Sequence, residues 1–126
     1  MRLLLDTSVL IFSAETPERL SKRAYAALQG VEVIREFSAV SLTEIAIKNT
    51  LGKLNMPAER VREAMQDLLV RVLPFTADHA YRLFELPLHH RDPFDRQIVA
   101  QALVEGIPLV SPDERLRRYE GLEVIW

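Results

Sequence analysis

Leu3-Leu4-Leu5-Asp6-Thr7-Ser8 is the stretch from which the fold of this chain can be read. Three consecutive apolar residues, with no alternation, fit a short strand buried on both faces, as in the middle of a parallel sheet. Asp6 then stands at the strand's carboxyl end, the edge where open parallel sheets bind their ligands. Outward from there, helix-like sequence runs from Ser8 to about Ala14 and again from about Leu20 to Gln29, where Gly30 stops it. Residues Val31 to Val40 should hold a second strand ending in Ser38-Ala39-Val40, with a helix from Ser41 to about Leu51 closed by Gly52.

Pro57 opens a further helix, about Ala58 to Val70, whose Val61, Met65, Leu68 and Leu69 recur at helical spacing. Val72-Leu73-Pro74-Phe75 reads as a short strand, Ala77 to Glu85 as helix and Leu86 to Arg91 as loop. Pro93 to Glu105 is the clearest helix, ended by Gly106. Pro108-Leu109-Val110 is a strand, Asp113 to Tyr119 a short helical stretch, and Glu123-Val124-Ile125 a last strand. Strands alternating with helices predict an α/β fold with a parallel sheet covered on both faces.

The 126 residues fit one domain, and 48% hydrophobic with 27% charged residues marks a globular chain. A net charge of −2 argues against gripping nucleic acid by overall positive charge, though not against a local basic groove. With no cysteine, disulfides, thiolate metal sites and thiol catalysis are excluded, which suits a reducing cytoplasm. No apolar run approaches the ~20 residues of a membrane span, nor the core of a signal peptide. The expectation is a soluble, unexported, cytoplasmic protein.

Four acids fall where such a sheet would gather them. Asp6 follows the first strand, Glu44 sits early in the helix after the second, Asp113 follows Leu109-Val110, and Asp95 lies in the first turn of the Pro93–Glu105 helix. Each also has a plainer reading. Ser41-Leu42-Thr43-Glu44 matches a capping box, and Glu44 could equally pair with Lys48. Asp92 before Pro93 is a strong helix cap, which leaves Asp95 free beside the apolar stripe of Val99 and Ala102, costly without a partner. Ser111 can cap the following turn with Glu114 completing a box, so Asp113 is needed for neither. Asp6, Thr7 or Ser8 could cap the first helix.

If the four meet, a cation must join them. Two carboxylates about 4 Å apart repel by roughly 4 kcal/mol at an effective dielectric near 20. An all-oxygen pocket suits Mg²⁺ or Mn²⁺, and zinc would want histidine or cysteine, which the spacing does not offer here. Such a metal would activate water and neutralise phosphoryl oxygens.

Together these stretches resemble the PIN-domain ribonucleases, and in particular VapC-type toxins of toxin–antitoxin pairs. The resemblance covers essentially the whole chain and rests on Leu4-Leu5-Asp6-Thr7-Ser8, Ser41-Leu42-Thr43-Glu44-Ile45, His90-Arg91-Asp92-Pro93-Phe94-Asp95-Arg96 and Leu109-Val110-Ser111-Pro112-Asp113. It implies a three-layer α/β/α, Rossmann-like domain with about five parallel strands. It implies that Asp6 and Asp95 are the principal metal ligands, Glu44 and Asp113 the other two acids, and Thr7 and Ser111 supporting hydroxyls. It also implies Mg²⁺ or Mn²⁺ as cofactor, RNA as substrate, a homodimer, and an antitoxin docking at about Leu42 to Leu69. Ser111 stands where the family has threonine, a change that keeps the hydroxyl.

Arg91, Arg96, Arg115, Arg117 and Arg118 flank the pocket in sequence and could meet phosphates. A solvated face paired to Glu114 and Glu120 reads as well for the last three, so Arg96 is the preferred supporting cation. His79, His89 and His90 are expected to stand outside the chemistry, since adjacent histidines rarely point the same way. A haloacid-dehalogenase-like phosphotransferase would need an acid where Ser8 stands. A receiver-like, non-catalytic acidic-pocket module would need an acid after a middle strand, and Val72-Leu73-Pro74-Phe75-Thr76 ends in none. An interaction protein whose acids are only helix caps is the remaining alternative.

Overall fold

The structure, a computed structural model, describes residues 1–126. Five strands, β1 (Arg2–Leu5), β2 (Ile34–Ser38), β3 (Val70–Leu73), β4 (Leu109–Val110) and β5 (Val124–Ile125), form one sheet in the order β3-β2-β1-β4-β5. Every pairing is parallel. Six α-helices connect them: α1 (Thr7–Glu15), α2 (Lys22–Leu28), α3 (Ala39–Thr50), α4 (Ala58–Asp67), α5 (Ala77–Arg82) and α6 (Pro93–Glu105). Short 3₁₀ turns fill Pro17–Arg19, Leu83–Glu85 and Glu114–Arg118.

The pleat of β1 divides the interior. Leu3 and Leu5 point to one face, where they join Phe37, Val110 and Ile125 under residues of α1, α2 and α4. Leu4 points to the other, with Leu109 and Val124, beneath Ile98, Val99 and Ala102 of α6. All three leucines are completely buried, as the unbroken apolar run requires of a central strand. The result is the expected three-layer α/β/α fold. The chain builds outward from β1 through β2 to β3, then returns to place β4 on the other side of β1. That reversal sits beside Asp6 and is where an open sheet leaves a crevice.

Several boundaries differ from the sequence reading by a few residues, most clearly those of α3, α4 and β3. Helix α3 starts at Ala39, not Ser41, because Ser38 caps it by accepting from the Val40 N–H at 2.9 Å. The same Ser38 hydroxyl donates to Gln101 Oε1, and Gln101 Nε2 donates to the Pro74 carbonyl at 3.3 Å, tying α6 to the ends of β2 and β3. Helix α4 stops at Asp67 rather than Val70, since Leu69 takes a left-handed φ of 54° and turns the chain into β3. That strand is therefore Val70–Leu73 and not Val72–Phe75. Gly106, by contrast, closes α6 with φ 66° as a left-handed cap, the conformation for which glycine is suited.

Candidate metal centre

Asp6 occupies the N-cap position of α1 yet makes no side-chain cap there. Its carboxylate instead accepts from Ser111 Oγ at 2.6 Å, a bond joining the loops after β1 and β4. Burial pushes the Asp6 acid above the usual carboxylate range, against the Ser111 hydrogen bond, with the charge of Glu44 adding to the rise. Ser111 Oγ also accepts from the Asp113 N–H at 3.1 Å, so one hydroxyl holds two of the acids in register.

Glu44 is buried in the second turn of α3, and the capping box read at Ser41 does not form. Its Oε1 lies 2.7 Å from Thr7 Oγ1 and its Oε2 2.6 Å from Lys48 Nζ. Thr7 Oγ1 is also 2.7 Å from Ser41 Oγ. A hydroxyl has one hydrogen, so the consistent network runs from Ser41 to Thr7 to Glu44. The Glu44 hydrogen bond raises Lys48 above its ordinary value, which keeps that lysine charged beside the cleft.

Asp95 lies in the first turn of α6, whose cap is Asp92, as the Asp-Pro pair predicts: Asp92 Oδ1 accepts from Phe94 N–H at 2.8 Å and Asp95 N–H at 3.1 Å. Burial first, then the charges of Asp6, Asp92, Glu44 and Asp113, push the Asp95 acid up to about 7. Asp113 moves the other way. Burial would raise it, but hydrogen bonds from Arg115 and His90 outweigh that and hold it below the usual range. Asp113, not Ser111, caps the Glu114–Arg118 turn, by accepting from the Arg115 N–H at 3.0 Å.

Asp6, Glu44, Asp95 and Asp113 thus line one cleft of about 330 Å³, together with Thr7, Ser8, Lys48 and Asp92. Arg96 does not line it. Its guanidinium donates to the carbonyls of Leu86 and Pro87, at 3.2 and 3.0 Å, and steadies the loop before α6.

The sequence reading missed His90. This ring is buried, with Nε2 2.9 Å from Asp113 Oδ2 and 3.1 Å from Asp95 Oδ2. Its Nδ1 accepts from the Asp92 N–H at 3.0 Å, so the hydrogen of the neutral ring sits on Nε2 and is shared between the two acids. His89 goes elsewhere, edge-on against Tyr119 at 4.9 Å. The signal that could have found His90 is its place two residues before a capping aspartate. There a loop side chain folds back onto the helix start.

The donor set fits a hard divalent cation. Asp6 and Asp95 have no lysine or arginine partner, whereas Glu44 has Lys48 and Asp113 has Arg115. Ser8 Oγ is buried at the same cleft with no hydrogen-bond partner, an orphaned oxygen that a coordinated water or an ion would satisfy. His90, Asp95 and Asp113 place ligand-type atoms within 4.8 Å of one another, but a protonated Nε2 donates and cannot ligate. His90 is therefore a holder of acids, and oxygen chemistry favours Mg²⁺ or Mn²⁺.

A five-stranded parallel sheet that carries clustered acids at its carboxyl edge defines a class of α/β acid-pocket domains. Residues 3–122 match the PIN domain, and the chain belongs to the PIN domain family. Its fold is shared with a chain of the VapBC2 complex from Rickettsia felis bound to a DNA fragment from their promoter, at TM-score 0.74 and 17% identity over 98% of this chain and 97% of that one. DNA-bound VapBC from Salmonella typhimurium follows at TM-score 0.69 and 16% identity, covering 98% and 96%. VapBC-5 of Mycobacterium tuberculosis gives 0.60 and 18%, again covering 98% and 96%. None of the curated proteins compared matches the chain in sequence.

Proposed function

We propose that residues 1–126 form a single nuclease domain, a divalent-metal-dependent endoribonuclease that serves as the toxin of a toxin–antitoxin pair. The observation that carries this reading is the gathering of Asp6, Glu44, Asp95 and Asp113 on one cleft, with Asp6 and Asp95 lacking a lysine or arginine partner. PIN domains are generally nucleases, and the neighbouring folds are VapBC toxin–antitoxin complexes. In this reading the four acids hold Mg²⁺ or Mn²⁺, which supplies an activated water and neutralises phosphoryl charge. Ser111 orients Asp6 and Asp113, Thr7 orients Glu44, and His90 keeps Asp95 and Asp113 facing each other.

RNA is the substrate the sequence resemblance implies. The antitoxin has a fitting seat in an apolar groove of about 770 Å³ between α3 and α4, lined by Leu42, Ile45, Met56, Val61, Met65 and Val72. A homodimer accords with the exposed rings of Tyr81 and Phe84, and a cytoplasmic location with the absence of any helix long and apolar enough to cross a membrane.

The test is cleavage of single-stranded RNA by the purified chain with MgCl₂ or MnCl₂. Cleavage should stop on chelation. Asp95→Asn should lower it by roughly two orders of magnitude or more, the scale of lost metal catalysis, with circular dichroism unchanged. Cleavage that persists in chelator, or an undiminished Asp95→Asn, would count decisively against the reading.

A further inference from the structure

Asp113 has no lone pair to spare. Its Oδ1 accepts from the Arg115 backbone N–H and from Arg115 Nε, both at 3.0 Å. Its Oδ2 accepts from Arg115 Nη2 at 3.0 Å and from His90 Nε2 at 2.9 Å. Two carboxylate oxygens offer about four acceptor sites. An ion can therefore reach Asp113 only by displacing a donor.

The donors differ in how readily they leave. The backbone N–H belongs to the 3₁₀ turn that Asp113 caps. The His90 side chain is only 4% exposed and is pinned through its other nitrogen to Asp92. The Arg115 side chain is 61% exposed, and its guanidinium has no acceptor except Asp113. Only this fork can withdraw without breaking something else. Beside it lies a second cavity, of about 630 Å³, lined by His89, His90, Arg91 and Arg115 and sharing Asp92 and Asp95 with the acid cleft. Its cationic wall lies immediately next to the proposed reaction centre.

Resting on the metal-nuclease reading, we propose that Arg115 is an internal counter-ion of Asp113 that a divalent cation displaces. The freed guanidinium then binds a phosphate of the substrate strand in the adjoining cavity. The planar fork that fits a carboxylate fits a phosphate equally well. Before the exchange the fork neutralises the acid; afterwards the metal does, and the fork neutralises the strand. Arg115 is thus a positioning residue that makes metal and RNA each favour the other's binding, a coupling that must be reciprocal.

Calorimetric titration of MnCl₂ into the metal-free protein, without RNA and at one pH, tests the first half. Arg115→Ala should bind Mn²⁺ about fivefold more tightly than the unaltered protein, the scale of a lost exposed ion pair. Arg118→Ala removes the same charge from the same turn, at a residue whose side chain makes no hydrogen bond or ion pair, and should bind more weakly than Arg115→Ala. The second half is read with a nuclease-resistant 2′-O-methyl RNA strand in saturating Mn²⁺, which Arg115→Ala should bind several-fold more weakly. Mn²⁺ affinity in Arg115→Ala no higher than in Arg118→Ala overturns the counter-ion role and leaves the nuclease reading standing. Equal RNA affinity overturns the phosphate role. Mn²⁺ binding that is absent, or unchanged in Asp95→Asn, overturns the metal reading and this inference with it.

Discussion

Asp95 concentrates the electrostatic tension of the molecule, and its sign is testable without any substrate. Its acid sits at about 7 in the folded protein against an ordinary 3.8, so the folded state holds the proton more tightly than the unfolded chain. The stabilisation this brings is complete below about pH 4 and is lost as pH rises through about 7. Metal-free protein should therefore weaken from pH 5 to pH 8, and Asp95→Asn should flatten that decline by an amount of order 2 kcal/mol after solvent screening. Urea denaturation at the two pH values checks this, and an equally steep decline in the variant would refute it. Adding Mn²⁺ at pH 8 should restore stability to the unaltered protein, because the ion replaces the proton. Position along the chain made the acids legible, since each follows a strand or opens a helix. His90 was not legible in that way. Its role depends on a loop conformation set by Asp92, and neither periodicity nor strand order reports where a loop side chain points.

At the scale of elements, the shifted start of α3 and the shifted end of α4 share a cause. Apolar pattern marks which residues are buried, while the start of α3 is decided by Ser38, three residues before the serine at which the sequence reading begins the helix. Ser38 is still a strand residue, paired with Leu73, when its hydroxyl begins the helix. Leu69 shows the same limit at the other end of α4. It continues the apolar series of Met65 and Leu68, yet it is 79% exposed and left-handed. A non-glycine residue there carries a strain of about 1 kcal/mol. Leu69→Gly relieves it and sacrifices little burial, so the variant should be more stable by up to about 1 kcal/mol in chemical denaturation. A loss of stability would mean that the exposed leucine makes contacts that outweigh its backbone strain. Where cap and pattern agree, as at Asp92-Pro93 and Gly106, the helix falls where the sequence reading puts it.

The whole molecule is organised by β1, whose residues serve both interior layers at once. Leu4 is fully buried between β2 and β4 and packs under α6, so Leu4→Ala should cost about 3 kcal/mol through lost burial and an incomplete collapse of the cavity. Thermal or urea unfolding would show this, and a cost below about 1 kcal/mol would mean that the layers repack freely. The strand order itself was only half legible. Alternation predicted a parallel sheet, but no local pattern announces that the chain crosses back over β1 after α6. That crossing brings Ser111 to Asp6, a bond that spans 105 residues of sequence. It follows that a ribosome making this protein carries one of the acids until Glu44 is added, two until Asp95 and three until Asp113. The cleft closes only once β4 and its following loop have emerged and docked. Whatever chemistry it performs is thereby withheld from the machine that builds it.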